Sequence, residues 1–239
     1  MTSPDPARTE SSSSSCPTLL AGLSPALRSA LVSAFGLFAF TLAFTSLMAF
    51  THGVTRDRIR TAAEQKQMLL IDETLPGLHY DNALLADVIE VEGSGRSRVG
   101  KVWRARNGNA PVALVFETYA PDGYGGRIDL VASLDNEGRI GSVRVAAHQE
   151  TPGLGDYIDP AKDRNKEKPW ISQFSKADAA STRWEVKKDG GSFDYLTGAT
   201  VSARAVTRAV GRAAAWVNKH REALFAAPTG ARFNAEQKE

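Results

Sequence analysis

The sequence predicts an α+β fold: one N-terminal transmembrane helix, then a single domain in which an antiparallel sheet packs against helices. Three observations carry this. Residues 29–50 contain no charged side chain. Between about 84 and 147, short runs of alternating or β-branched apolar residues are separated by turn sequences. From about 200 to 225, apolar residues recur at helical spacing.

Residues 1–28 include SSSSS at 11–15 and too few large apolar side chains to bury a core, so they read as a disordered tail. The apolar run SALVSAFGLFAFTLAFTSLMAF follows. At ~1.5 Å per residue it is long enough to cross a hydrocarbon layer of ~30 Å, and the span is expected over 29–52. A cleaved signal peptide fits poorly, because the run is long and no short basic region precedes it. Arg28 lies before the span, and Arg56, Arg58, Arg60 and Lys66 lie after it. The positive-inside rule weakly places the C-terminal side in the cytoplasm but loses force before a long domain, so charge alone does not fix the orientation. Residues 53–83 form a helical linker: 55–73 are rich in helix formers, with Ile59, Ala62, Ala63 and Leu69–Ile71 apolar, and Leu75-Pro76-Gly77 ends the helix.

Strands are expected at Ala86–Val91, Val99–Arg104, Val112–Thr118, Arg127–Leu134 and Arg139–Ala147. Pro121–Gly126 and Asp135–Gly138 supply turns. Residues 149–169 form a loop, and Trp184–Lys188 reads as one more strand. The last element is a helix from about Thr200 to Phe225, with Val206, Val210, Ala213, Val217 and Leu224 on one face. Arg204, Arg208 and Arg212 line another, read as solvated. The globular domain is bounded at 84–227, with a C-terminal tail over 228–239.

Composition narrows the function. With 29 basic and 27 acidic residues the net charge is +2 and no basic block stands out, which argues against a nucleic-acid partner. The single cysteine, Cys16, leaves no disulfide framework and no thiolate metal site. The four histidines, His52, His79, His148 and His220, show no ligand spacing, so no metal site is expected.

Two stretches stand out. DYLTGAT, at 194–200, ends where the last helix begins. Helix N-termini present free N–H groups that suit an anion, Gly198 and Ala199 keep the backbone approachable, and Thr197, Thr200 and Ser202 place hydroxyls around the same point. Helix capping explains the same residues equally well. The second stretch, HQETPGLGD at 148–156, follows a strand. His148 beside Glu150 allows acid–base work, but a structural loop with a satisfied histidine fits too. Pro152, Gly153 and Gly155 shape a turn that exposes Leu154, while Trp170 and Phe174 offer aromatic surface or core.

DGYGG (122–126), HQETPGLGD and DYLTGAT, in that order, resemble the membrane-anchored flavin subunits of ion-translocating respiratory complexes. The resemblance is to the G subunit of the Rnf (Rsx) electron transport complex and, more distantly, to the C subunit of the sodium-translocating NADH:quinone reductase. The last string fits the family's flavinylation signature D-x-x-[S/T]-G-A-[T/S]. The resemblance implies that the domain binds FMN and that Thr200 is esterified to the FMN phosphate by a separate flavin transferase, with FAD as donor and magnesium present. The residues agree with that chemistry: Thr197 and Ser202 are placed to donate to the phosphate oxygens beside Gly198 and Ala199, Thr151 and Leu154 to supply an apolar slot for the ring system with Glu150 near a polar edge, and Asp194 to orient or deprotonate the Thr200 hydroxyl. The chain is then an electron carrier in a ferredoxin:NAD complex coupled to ion movement. It has no catalytic residue of its own, meets other subunits of the complex, and holds its domain on the periplasmic side of the inner membrane. The alternatives are the quinone reductase subunit and a membrane-anchored scaffold without cofactor.

Overall fold

The structure is a computed structural model that describes residues 24–92 and 94–234. It divides into two units, 1–61 and 62–239. Most of the expected tail, with Cys16, and residues 235–239 lie outside the described residues.

Helix α1 runs from Pro25 to Asp72. Within the first unit its apolar side chains, Phe35, Phe38 and Met48 among them, are exposed, and the helix is long and apolar enough to cross a membrane. Its final residues belong to the second unit, where Ile71 is fully buried. Thr74 Oγ1 donates to the Ile71 carbonyl as the helix ends, just before Leu75-Pro76-Gly77.

The second unit is built on a six-stranded sheet in the order β5-β4-β3-β2-β1-β6. The strands are β1 (Val88–Glu92), β2 (Lys101–Asn107), β3 (Ala110–Gly123), β4 (Gly126–Asp135), β5 (Ile140–Ala147) and β6 (Arg232–Asn234). Neighbours from β5 to β1 pair antiparallel. Alternation along β3 sends Leu114 and Phe116 to one face and Val115 to the other. The first face is covered by helix α2 (Thr200–Lys219), through Val206, Val210, Ala213 and Val217. The second carries Trp103, Val115 and Val131 against Ile71, Leu75 and Leu84. The sheet is therefore buried on both sides, which is why its central strands read as nearly continuous apolar runs.

Five expectations change. The sheet is mixed rather than purely antiparallel, because β6 pairs parallel with β1. Residues 232–234, expected as tail, join the sheet because Phe233 is buried against Trp216 and His220. Trp184–Lys188 forms only an isolated bridge, Val186 to Phe193, before the chain reverses through a 3-10 turn at Lys187–Asp189. The last helix is interrupted at His220 (φ −101°, ψ 10°), after which α3 spans Arg221–Ala226. The arginine stripe is only partly a solvated face: Arg204 and Arg208 stay accessible, but Arg204 Nη2 donates to Asp189 at 2.9 Å, Arg208 lies 3.7 Å from the same carboxylate, and Arg212 Nε is buried with no hydrogen-bond partner among the described residues.

Near the start of β1, Asp87 ties the sheet to the C-terminal segment. Its carboxylate pairs with Arg104 and Arg106 and accepts from Thr229 Oγ1. The Arg104 guanidinium in turn donates to the carbonyls of Leu224, Phe225 and Ala227. Burial opposes ionisation of Asp87, but the Arg104 hydrogen bond and charge, with Thr229 and Arg106, outweigh it and hold the carboxyl below its ordinary value. Its stabilising contribution is then present above the unfolded aspartate value and lost as pH falls through the folded one. Asp87→Ala is expected to lower unfolding stability at neutral pH by about 3 kcal/mol, since Arg104 is left buried and unpaired. The gap to the unmodified chain should narrow below about pH 4, as read by denaturant unfolding across pH.

Candidate functional site

The long β3–β4 hairpin carries its tip beyond the rest of the sheet. Gly123 pairs with Gly126, leaving Tyr124 and Gly125 as the turn, and Tyr124 is 72% exposed. The chain leaves β5 at Ala147 and passes directly beneath this tip. A Cβ placed on Gly125 would lie 2.0 Å from the Gln149 carbonyl oxygen, so only glycine permits this crossing.

The loop then closes on itself. The Thr151 carbonyl accepts from the N–H groups of Leu154 and Gly155, at 3.1 and 3.0 Å. Asp156 Oδ1 accepts from Gly153 N–H at 2.9 Å. Gly153 takes φ +74°, and the turn leaves Leu154 exposed at 43%. Glu150 points the other way. It is 4% exposed, accepts the Gly125 N–H at 3.0 Å through Oε1, and accepts the Ser202 hydroxyl through Oε2. One carboxylate thus joins the hairpin tip, the loop and the first turn of α2.

The TGAT turn has its own frame. Gly198 adopts φ +92°, left-handed backbone that suits glycine. Ala199 occupies the N-cap of α2 and no side chain caps the helix, so its first N–H groups lack a side-chain acceptor. The capping explanation for the threonines therefore does not hold. Thr200 is the first helical residue, half-buried, and its hydroxyl makes no hydrogen bond among the described residues. Tyr157 clasps the turn from below, accepting Leu196 N–H at 3.3 Å and donating to the Ala199 carbonyl at 3.4 Å. Burial, with the nearby charges of Asp163 and Glu150, pushes the Tyr157 hydroxyl up to about 12 against the Leu196 N–H, so it remains a donor.

Of the residues singled out in the sequence, Glu150, Thr151, Leu154, Gly198, Ala199 and Ser202 border one depression of about 120 Å³. Thr197 is exposed and, like Thr200, does not line this depression, and Ser202 is engaged with Glu150. Asp194 stands apart: its carboxylate pairs with Lys187 Nζ at 2.6 Å and makes no hydrogen bond to the Thr200 hydroxyl. Its backbone is fixed by Trp170 Nε1 and the Gln173 side chain. Tyr124 and Val201 complete the depression and were not anticipated; an exposed aromatic at a glycine-rich hairpin tip was the available signal for the first. A second depression, about 300 Å³, shares Leu154 and is walled by Tyr157, Trp170, Tyr195 and Leu196. Phe174, by contrast, is fully buried in the core.

Comparison with known proteins accords with this arrangement. A family model described as FMN-binding domain matches residues 123–215, from the hairpin tip through most of α2. Another, described as RnfG N-terminal region, matches residues 24–74. The chain is 42% identical over 183 residues to the G subunit of the ion-translocating oxidoreductase complex of Yersinia pestis, covering 74% of this chain and 85% of that one. The protein of the same name from Vibrio atlanticus is 36% identical over 194 residues, with coverage of 79% and 90%. That from Shewanella baltica is 36% identical over 201 residues, with coverage of 82% and 92%.

Gly125→Ala is expected to force the 148–150 segment away from the hairpin tip. Unfolding stability should fall by about 1–3 kcal/mol, and Tyr124 should report the displacement as a changed fluorescence or exchange rate near the tip. Gly100→Ala, whose added Cβ meets nothing within 4 Å and whose backbone is not left-handed, provides the control for glycine replacement away from this crossing.

Proposed function

From the premise that the chain belongs to the family of G subunits of ion-translocating oxidoreductase complexes, we propose that it carries FMN through a phosphoester to the Thr200 hydroxyl. The domain binds FMN, and the chain is a membrane subunit that transfers electrons alongside other subunits of its complex. The covalent linkage, the residues around it and the side of the membrane are the parts proposed.

The observation that carries the linkage is the state of the α2 N-terminus. Thr200 opens a helix whose first N–H groups have no capping side chain, and anions are stabilised at such termini by oriented N–H groups and the helix dipole. The residues present fit the group. Gly198 and Ala199 leave the approach to Thr200 unobstructed, with Thr197 as a second donor beside it. Leu154, shared by both depressions, offers an apolar contact for the ring, with Thr151 and Glu150 on its polar side. Ser202 acts through Glu150, since its hydroxyl is already committed there. Asp194 serves the attachment step only if its ion pair with Lys187 opens. When bound, FMN supplies the one- and two-electron redox chemistry, and the protein supplies position and electrostatics.

Attachment requires a flavin transferase with FAD as donor. The electron partners are those of a ferredoxin:NAD complex. The domain lies on the periplasmic side of the inner membrane. The arginines after the span oppose that orientation weakly, and long translocated domains are not governed by flanking charge.

The chain produced with an active flavin transferase is expected to fluoresce as a denatured band, and the peptide holding Thr200 should gain the mass of FMN less water. Thr200→Ala should abolish both signals while Thr197→Ala retains them. A dark band from the unmodified sequence, or flavin retained by Thr200→Ala, overturns the linkage. A phosphatase fused after residue 234 should be active outside the cytoplasm; activity only of a cytoplasmic reporter at that point overturns the orientation.

A further inference from the structure

The pose of Glu150 depends on a hydrogen bond that its carboxylate does not make. The Glu150 N–H donates to His148 Nδ1 at 3.2 Å. A ring nitrogen that accepts a hydrogen bond carries no proton, so the neutral imidazole holds its proton on Nε2. Nε2 faces Asp159 Oδ2 at 4.0 Å, and the His148 side chain is only 15% exposed. The ring is held at its base as well, because His148 is the first residue after β5.

Asp159 follows the 3-10 turn at Asp156–Ile158, and its other oxygen accepts Ala161 N–H. The Lys166 ammonium sits on the carbonyls of Pro160 and Ala161, one and two residues beyond Asp159. Asp156 is occupied by Gly153 N–H, and the Glu150 carboxylate is turned toward Gly125 and Ser202.

We propose that His148 is a positioning residue of the site, with a built-in response to its own protonation. As the Nε2-protonated tautomer it accepts the Glu150 amide and fixes the peptide from which the Glu150 carboxylate reaches Gly125 and Ser202. A proton added at Nδ1 converts that nitrogen into a donor facing a donor. The hydrogen bond is lost, the peptide is released, and Asp159 is the counter-charge for the imidazolium. The wall of the site is thus held while His148 is neutral and loosened when it is charged. The relevance of this to FMN rests on the reading of the site given above; the device itself belongs to the cofactor-free chain.

The test is nitrogen NMR on the full chain in detergent micelles without flavin, titrated between about pH 5 and pH 8. At the upper end His148 should show a bare Nδ1 and a protonated Nε2. The amides of Glu150 and Gly125 should shift on lowering the pH with the same midpoint as the His148 ring. In His148→Asn, whose side-chain oxygen can still accept the Glu150 N–H, these amide shifts should be lost and the high-pH positions retained. In His148→Ala the amides should sit at all pH values near the low-pH positions of the unmodified chain. A proton on Nδ1 at the upper end, amides that do not follow the ring, or an unchanged titration in His148→Asn each overturn the proposal. In the flavin-loaded chain, the pH dependence of the flavin absorbance over the same range should be flattened by His148→Asn; an unaltered dependence overturns the coupling to the cofactor. A chain that stays flavin-free when produced with an active flavin transferase, yet gives the expected amide titration, sinks the linkage reading and leaves the role of His148 standing.

Discussion

The Glu150 carboxylate is the constraint on which the rest of the site depends. Its two oxygens accept from Gly125 in the β3–β4 hairpin and from Ser202 in the first turn of α2. These partners lie far from Glu150 in sequence, so the contacts join three different elements. At 4% exposure the carboxylate is largely withdrawn from solvent, and each buried donor left unsatisfied costs about 1–3 kcal/mol. The network therefore holds together or is lost together, and it fixes where the loop surface around Leu154 meets the start of α2.

The scaffold supports that junction from both sides of the sheet. The sheet is packed on both faces, by α2 on one side and by the end of α1 with the following segment on the other. Helix α2 is anchored by apolar contacts along its length, so its N-terminus is placed by the core rather than by a cap. This frees the N-terminal N–H groups and the Thr200 hydroxyl from structural duty. The TGAT turn is instead held from outside, by Tyr157 on its backbone and by Trp170 and Gln173 on Asp194. Structural load is carried by neighbours while the turn itself stays open.

Much of the fold was legible in local pattern. The five antiparallel strands announce themselves by short alternating or β-branched apolar runs between turns, and α1 and α2 by an uncharged run and a 3.6-residue period. What was not legible depends on tertiary contact. β6 is three residues long, too short for any period, and exists because Phe233 finds a buried place beside Trp216. Trp184–Lys188 has strand-like composition but turns back at once, its Trp184 and Phe193 stacking instead of extending a ladder. The arginines of α2 looked like a solvated stripe because nothing local reveals that Asp189 lies against them. The site was legible only in part: the motif strings pointed to Glu150, Leu154, Gly198 and Ala199, but their meeting around one depression could not be read from spacing. Tyr124 and Tyr157 were missed because a lone aromatic in a turn has no periodic partner.

The most direct test of this account is amide hydrogen exchange in the full chain on replacing Glu150 by Ala. If one carboxylate holds three segments, exchange should quicken together at the hairpin tip around Gly125, in the 148–156 loop and in the first turn of α2, while the central strands β2–β4 stay protected. Faster exchange confined to 148–156, with the hairpin tip and the helix start unchanged, would contradict it.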